Sequence, residues 1–210
     1  MVTQDPDPSE YLFISAEMKR KDATKPYDGK KMTWVPDEKE GFVIGNIEST
    51  QGDKVVVETP DGKKTFKKDQ LQQVNPPKYE KCEDMSNMTY LNDASVLHNL
   101  KERYYANLIY TYSGLFCVAI NPYKRFPIYT PRAVMIYKGK RRTEVPPHVF
   151  AISDGAYMHM LTGKMSRLAY SPVLPVHAFT GRSVVSAICR ISSLEAVGIY
   201  IRTSRSSEAA

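Results

Sequence analysis

Cysteine is scarce. Cys82, Cys117 and Cys189 are the whole complement of the 210-residue chain, far apart and with no CxxC pair. A disulfide framework or a structural zinc site needs clustered cysteines, so neither is expected. Histidine is equally sparse: His98, His148, His159 and His177 show no HExxH or other metal-ligand spacing, which leaves out zinc-hydrolase chemistry. His148, which follows two prolines at a helix start, reads as structural. Ser153 and Asp154 have no evident histidine partner, so a serine-hydrolase site is not supported. No apolar stretch approaches the ~18 residues of a membrane span. The first residues carry Asp5, Asp7 and Glu10 where a secretory leader has a basic region and an apolar core, so no signal peptide is read. A reducing cytosol is the expected compartment. The phosphate-loop pattern GxxxxGK(S/T) is also missing. Thr162, Gly163 and Lys164 offer a Gly-Lys pair without the first glycine or the following hydroxyl.

What is present is the composition of a soluble globular chain, 42% hydrophobic and 25% charged, with room for one or two domains. The net charge is +6 and unevenly placed. Residues 163–210 hold six Lys+Arg and two Asp+Glu, whereas residues 1–162 hold 23 and 21. A nucleic-acid reading would rest on that last segment alone, and nucleic acid is not expected as a partner.

In chain order, residues 1–30 are a polar extension with an apolar patch at Tyr11–Ile14. Residues 31–77 alternate short β-prone runs with turns: Met32–Val35, Gly41–Ile47, Lys54–Glu58 and Lys64–Lys67, joined through Gln51–Asp53 and the Pro60-Asp61-Gly62 hairpin signal. This pattern predicts a small barrel. Trp34 and Phe42 could wall an aromatic cage for a modified lysine, or Trp34 could fill the barrel core. Asn75, Pro76 and Pro77 read as a stiff linker. Asn92 or Asp93 can cap a helix with Val96, Leu97, Leu100 and Tyr104 on one face and Lys101, Glu102 and Arg103 toward the other. Ile109–Tyr112 and Leu115–Ile120 flank Ser113-Gly114 as a hairpin, the second run reading as a strand buried on both faces. Pro131 suits a helix first turn, and Lys138–Arg142 a solvated basic turn. A further helix follows Pro146 and Pro147, with Val149, Ile152, Ala156 and Met160 on one face.

The stretch that organises the chain is Ser113–Thr130, SGLFCVAINPYKRFPIYT. The apolar run stops at Asn121-Pro122, because proline cannot continue a ladder. The following loop sets Tyr123, Lys124, Arg125 and Tyr129 in a row. A carboxamide, two cations and aromatic faces at the end of a strand suit a nucleotide; the bland alternative is a proline-stiffened surface turn. NPYKRFPIY resembles the adenine-binding loop of myosin motor domains. The likeness extends through Tyr110–Ile120 before it and Pro131–Tyr137, Lys138–Arg142 and Pro146–Tyr157 after it, and residues 31–77 resemble the SH3-like module of conventional myosins. It runs from near the N-terminus to about Leu161.

The resemblance implies a mixed α+β chain. Residues 31–77 would form the SH3-like barrel. Residues 78–162 would be the start of an α/β P-loop motor domain, stopping before its phosphate loop. It implies that Asn121, Pro122, Tyr123, Lys124, Arg125 and Tyr129 line a purine pocket for ATP, with Mg²⁺ in the complete motor but its ligands missing here. Phe126 stands where many relatives carry Trp or another apolar residue. The implied parent is an actin-activated Mg-ATPase of muscle. Its partners would be actin filaments and light chains and its location cytoplasmic, in the myofibril's filaments. This chain would be an N-terminal piece that is inactive alone. A chain of this kind is also expected to expose unpaired edges and apolar faces.

Residues 163–210 change character, with nine serines against seven in the preceding 162 residues. Where the resemblance implies ITGESGA, a shifted reading of the codons for Tyr170–His177 can spell Leu-Thr-Gly-Ala-Ser-Gly-Ala. It fails at His177-Ala178, which permit only Cys or Arg where Gly is needed. A frameshifted segment, a disordered tail unrelated to the family and a genuine alternative exon all fit. The competing function, from a different class, is a non-enzymatic SH3-like interaction module with a basic Ser/Arg-rich tail.

Overall fold

The computed structural model describes residues 6–161 and 201–202, and the expectations for residues 163–200 and 203–210 lie outside them. The chain divides into two compact units, one of Ser15–Glu102 and one of Met1–Ile14 with Arg103–Ala210.

In the Ser15–Glu102 unit, turn chemistry drives an antiparallel meander. Strand β1 (Met32–Asp37) pairs with β2 (Gly41–Gln51), β2 with β3 (Lys54–Thr59) and β3 with β4 (Gly62–Lys67). The short β5 (Gln72–Gln73) returns to the free edge of β1, giving the order β4-β3-β2-β1-β5. Both predicted hairpins form. Gly52 takes a positive φ of 61° in the Gly52-Asp53 turn, and Gly62 one of 118° where β4 begins. Both conformations are cheap only without a Cβ. A register shift between Ile47 and Ser49 places a bulge in β2, which bends the strand as a barrel requires.

Adjacent residues on β1 serve opposite faces. Val35 is fully buried with Val55 and Val57 in one cluster, ringed by Val43, Ile47, Phe66 and Leu71. Trp34 joins Val74 and Ala94 in a second, flanked by Met32, Phe42 and Ile44. Trp34 is thus core: at 5% exposure its ring cannot wall an open cage. The proline linker is pinned. Asn75 donates through Nδ2 to the Tyr90 carbonyl (2.7 Å) and Ser95 Oγ (2.9 Å), and its Oδ1 accepts the Tyr90 N–H (2.8 Å).

After the short helices α1 (Ser9–Leu12) and α2 (Ala16–Ala23), helix α3 runs from Asp93 to Tyr105. Asn92 is its cap, accepting the Ser95 N–H at 2.9 Å. Its buried face differs from the predicted one. Leu97 is exposed, whereas Ala94, Ser95, Asn99 and Arg103 are buried. Polar side chains can occupy that face because each finds a partner. Asn99 donates to the Cys82 carbonyl at 3.1 Å, and Arg103 to Thr111 Oγ1 at 2.8 Å and the Tyr110 carbonyl at 2.7 Å.

In the other unit, β6 (Tyr110–Ser113) and β7 (Phe116–Ala119) form the predicted hairpin around Gly114, with Thr111 opposite Val118 and Tyr112 opposite Cys117. The two-residue β8 (Ile201–Arg202) adds to the far edge of β7. The expectation that Leu115–Ile120 is buried on both faces is corrected. Only Cys117 is buried, and Leu115 is 44% exposed. The neighbours of Cys117, Phe116 and Val118, which point to the opposite face, are only half-buried, so among the described residues one face of β7 is packed and the other is partly open. Helix α4 (Pro131–Tyr137) starts as predicted, with Pro131 in its first turn and Thr130 accepting the Ala133 N–H. Helix α5 spans Val149–Leu161. Its first turn enters the core through Val149, Phe150 and Ala151, beside Leu12, Ile109, Tyr110, Ile128 and Tyr137.

Candidate nucleotide-binding loop

The loop between β7 and α4 begins with a local lock. The Asn121 side chain accepts the Tyr123 N–H at 3.0 Å, an Asx turn that folds the chain back where proline has ended the strand. Tyr123 then adopts φ = 51°. A non-glycine residue in this region is uncommon and costs of order 1 kcal/mol or more. Tyr123 is also 87% exposed, so the conformation presents an aromatic ring to solvent. Lys124 and Arg125 are exposed beside it, and Pro122 is half-buried.

Tyr129 has a different setting. Its phenol oxygen lies 2.6 Å from that of Tyr110 on β6. Its ring approaches His148 at 5.5 Å and Phe150 at 6.1 Å between centroids. The structure therefore keeps Asn121–Arg125 together as an outer segment and places Tyr129 in an aromatic cluster that anchors the loop. Burial pushes both phenols up from the ordinary tyrosine range, Tyr110 strongly. Phe126, between the two parts, stacks on Tyr11 at 4.8 Å.

Two members of this neighbourhood were not singled out as site residues from sequence. His148 is fully buried. Its Nδ1 accepts the Phe150 N–H at 3.0 Å, which puts its proton on Nε2. Burial lowers its pKa to about 3, the Ile128 carbonyl opposing this only in part. Arg142, from the basic turn, lies over the Tyr112 ring at 3.7 Å and donates to the Gly114 carbonyl. One cation of that turn is therefore tied to the β6–β7 hairpin rather than solvated. The signals for both were weak: a histidine after two prolines, and a strand with tyrosine at alternate positions. Cys117 is inert, its thiol pushed by burial up to about 12.

The outer segment offers an exposed ring and two exposed cations. A phosphate cradle is a different matter, because no GxxxxGK(S/T) occurs in the sequence. Nor does any group of three or more His, Cys, Asp or Glu placed to hold a metal ion occur among the described residues. No step is therefore assigned to Mg²⁺.

A five-stranded SH3-like sheet is followed in sequence by a hairpin, an Asx-turn loop and two helices. Family models match accordingly: the myosin N-terminal SH3-like domain over residues 19–75 and the myosin head (motor domain) over residues 82–168. Myosin-3 of Caenorhabditis briggsae is 56% identical over 155 residues, covering 73% of this chain and 8% of that protein. Myosin-1 of Caenorhabditis elegans is 57% identical over 154 residues, covering 72% and 8%. The chain belongs to the conventional myosin heavy-chain family. It spans about 8% of the length of these curated relatives.

Proposed function

We propose that this chain carries the purine side of the nucleotide site of an ATP-driven actin motor, together with its SH3-like module. The observation that carries the reading is Tyr123, an exposed aromatic held at φ = 51° by an Asx turn, with Lys124 and Arg125 next to it. Backbone strain at an exposed loop residue is a common mark of a ligand site. Asn121 and Pro122 shape the turn, Tyr123 offers a face to adenine, and Lys124 and Arg125 offset the charge of the nucleotide. Tyr129 anchors the segment. ATP is the expected ligand, and Mg²⁺ belongs to the complete site. Actin filaments, light chains and a place in myofibrillar filaments come with the reading, as partners and location of the whole motor. Among the described residues no helix is long and apolar enough to cross a membrane.

Phosphoryl transfer depends on positioning the γ-phosphate, the metal and the attacking water. With no phosphate-loop pattern in the sequence, the residues at hand bind a nucleotide weakly and do not hydrolyse it. Calorimetric titration of the chain with ATP checks this, beside Tyr123→Ala and Lys124→Ala. Weak binding that both substitutions reduce is the expected result. Binding indifferent to both would remove the loop from the site, and ATP turnover above background would overturn the claim of inactivity.

A further inference from the structure

The nucleotide loop is held at its far end by a residue that lies outside it. Tyr129 closes the segment that Asn121 opens, and its phenol meets that of Tyr110 at 2.6 Å. Tyr110 sits on β6 and is 6% exposed, while Tyr129 is half-buried, so the bond is partly shielded from water and stronger than it would be at the open surface. The Tyr110 ring meets His148 edge-on at 4.7 Å, and the same imidazole stacks on Tyr137 at 5.0 Å. His148 in turn holds the first turn of α5 through the Phe150 N–H. A strand, the loop and a helix start thus share one aromatic cluster, and the Tyr110–Tyr129 bond is a side-chain polar tie of the loop into it.

We infer that Tyr110 is a positioning residue for nucleotide binding: its phenol fixes the ring of Tyr129 and thereby sets where the 121–125 segment presents Tyr123, Lys124 and Arg125. This rests on the reading of the loop as a nucleotide site. One phenol donates and the other accepts. Burial keeps both neutral through the physiological range, so the tie does not loosen with pH. A phenylalanine at position 110 keeps the ring contacts and removes only the hydroxyl.

The test uses the full chain with Tyr110→Phe, Tyr129→Phe and the double variant, and ATP as the probe. Two readouts are taken: ATP affinity, and amide hydrogen exchange across residues 121–129. Loss of one hydrogen bond predicts ATP binding weaker by roughly three- to tenfold in Tyr110→Phe. The double variant should be no weaker than the singles, because both remove one bond. Exchange at 121–129 should rise by a similar factor, with the β1–β4 amides unchanged. A wild-type chain with no ATP affinity overturns the nucleotide reading, and loop exchange then decides the role of Tyr110 by itself. Unchanged loop exchange, or unchanged ATP affinity in a chain that binds ATP, overturns the positioning role. So does exchange that rises equally in β6, β7 and α5, which marks a core contact only. Tyr129→Phe removes the same bond from the loop side; because Tyr129 is itself expected to line the purine pocket, its loop exchange rather than its ATP affinity decides if Tyr110→Phe folds poorly.

Discussion

The backbone N–H of Phe150 donates to Nδ1 of His148 at 3.0 Å, so an imidazole does the work of an N-cap for α5. Serine, threonine, asparagine or aspartate usually fills that role. Here the cap is also a ring in the core. The consequence is a dependence on pH.

His148 has a folded-state pKa of about 3 against an ordinary value of 6.5. Below pH 6.5 the unfolded chain takes up a proton that the folded chain refuses until near pH 3. The unfolded state binds more protons in that window, so stability rises with pH across it. The contribution is complete above pH 6.5 and falls by up to ~1.4 kcal/mol per pH unit as pH drops toward 3. Denaturant melts between pH 7 and 4 check this against His148→Asn. That variant keeps a capping oxygen and cannot titrate. It should lose part of the acid sensitivity; an identical pH slope in both chains would exclude His148 as its source.

The second prediction concerns Gly45, buried in β2. A Cβ built there meets the Val57 methyl and, at 3.0 Å, the Glu58 carbonyl oxygen. The carbonyl belongs to a paired strand and cannot turn aside. Gly45→Ala should therefore destabilise the barrel by about 1–3 kcal/mol, the usual cost of overpacking. Trp34 is the only tryptophan of the chain and sits in the same unit, so its emission reports the unfolding midpoint. A variant as stable as the wild type would mean that the β2–β3 pair shifts freely.

Lys81 and Asp22 form a third test. Their ion pair is 2.8 Å long, with side-chain exposures of 10% and 12%. Glu102 lies 3.5 Å from the same ammonium. Breaking a buried pair from one side leaves a charge without compensation. Lys25, 3.4 Å from Asp22, softens the loss. Lys81→Met should cost about 2–4 kcal/mol, and adding Asp22→Asn should cost less than the sum of the single changes. Additive losses in a urea-melt cycle would show that the two residues do not interact.

How far the sequence revealed these features depended on the kind of signal. Gly52-Asp53 and Pro60-Asp61-Gly62 are local chemistry, and both hairpins formed where the residues placed them. Pro131 and Asn92 worked for the same reason, since helix starts are written in one or two residues. The face of α3 was not legible. Apolar periodicity pointed to Leu97, while the buried side carries Asn99 and Arg103, whose partners at Cys82, Tyr110 and Thr111 are set by tertiary structure. The loop was legible as a row of chemical groups. Its division was not: nothing in the spacing shows that Tyr129 bonds to Tyr110 while Tyr123 is left open to solvent.

Tyr123 provides the last prediction. It is 87% exposed with φ = 51°, so its ring contributes little burial while its backbone carries strain. Asparagine tolerates the left-handed region better than tyrosine because its short amide can bond locally. Tyr123→Asn should raise the stability of the chain by up to ~1 kcal/mol. Glycine would gain less, because it adds entropy to the unfolded chain. On the proposed reading of the loop, the same substitution should also weaken ATP binding, because it removes the ring assigned to adenine. Thermal melts and ATP titrations on one preparation separate the two effects. A less stable variant would mean that the ring packs in solution. Unchanged ATP affinity would place adenine elsewhere. A chain that gains stability while losing affinity is the signature of strain kept for a ligand, and it is the outcome this loop geometry predicts.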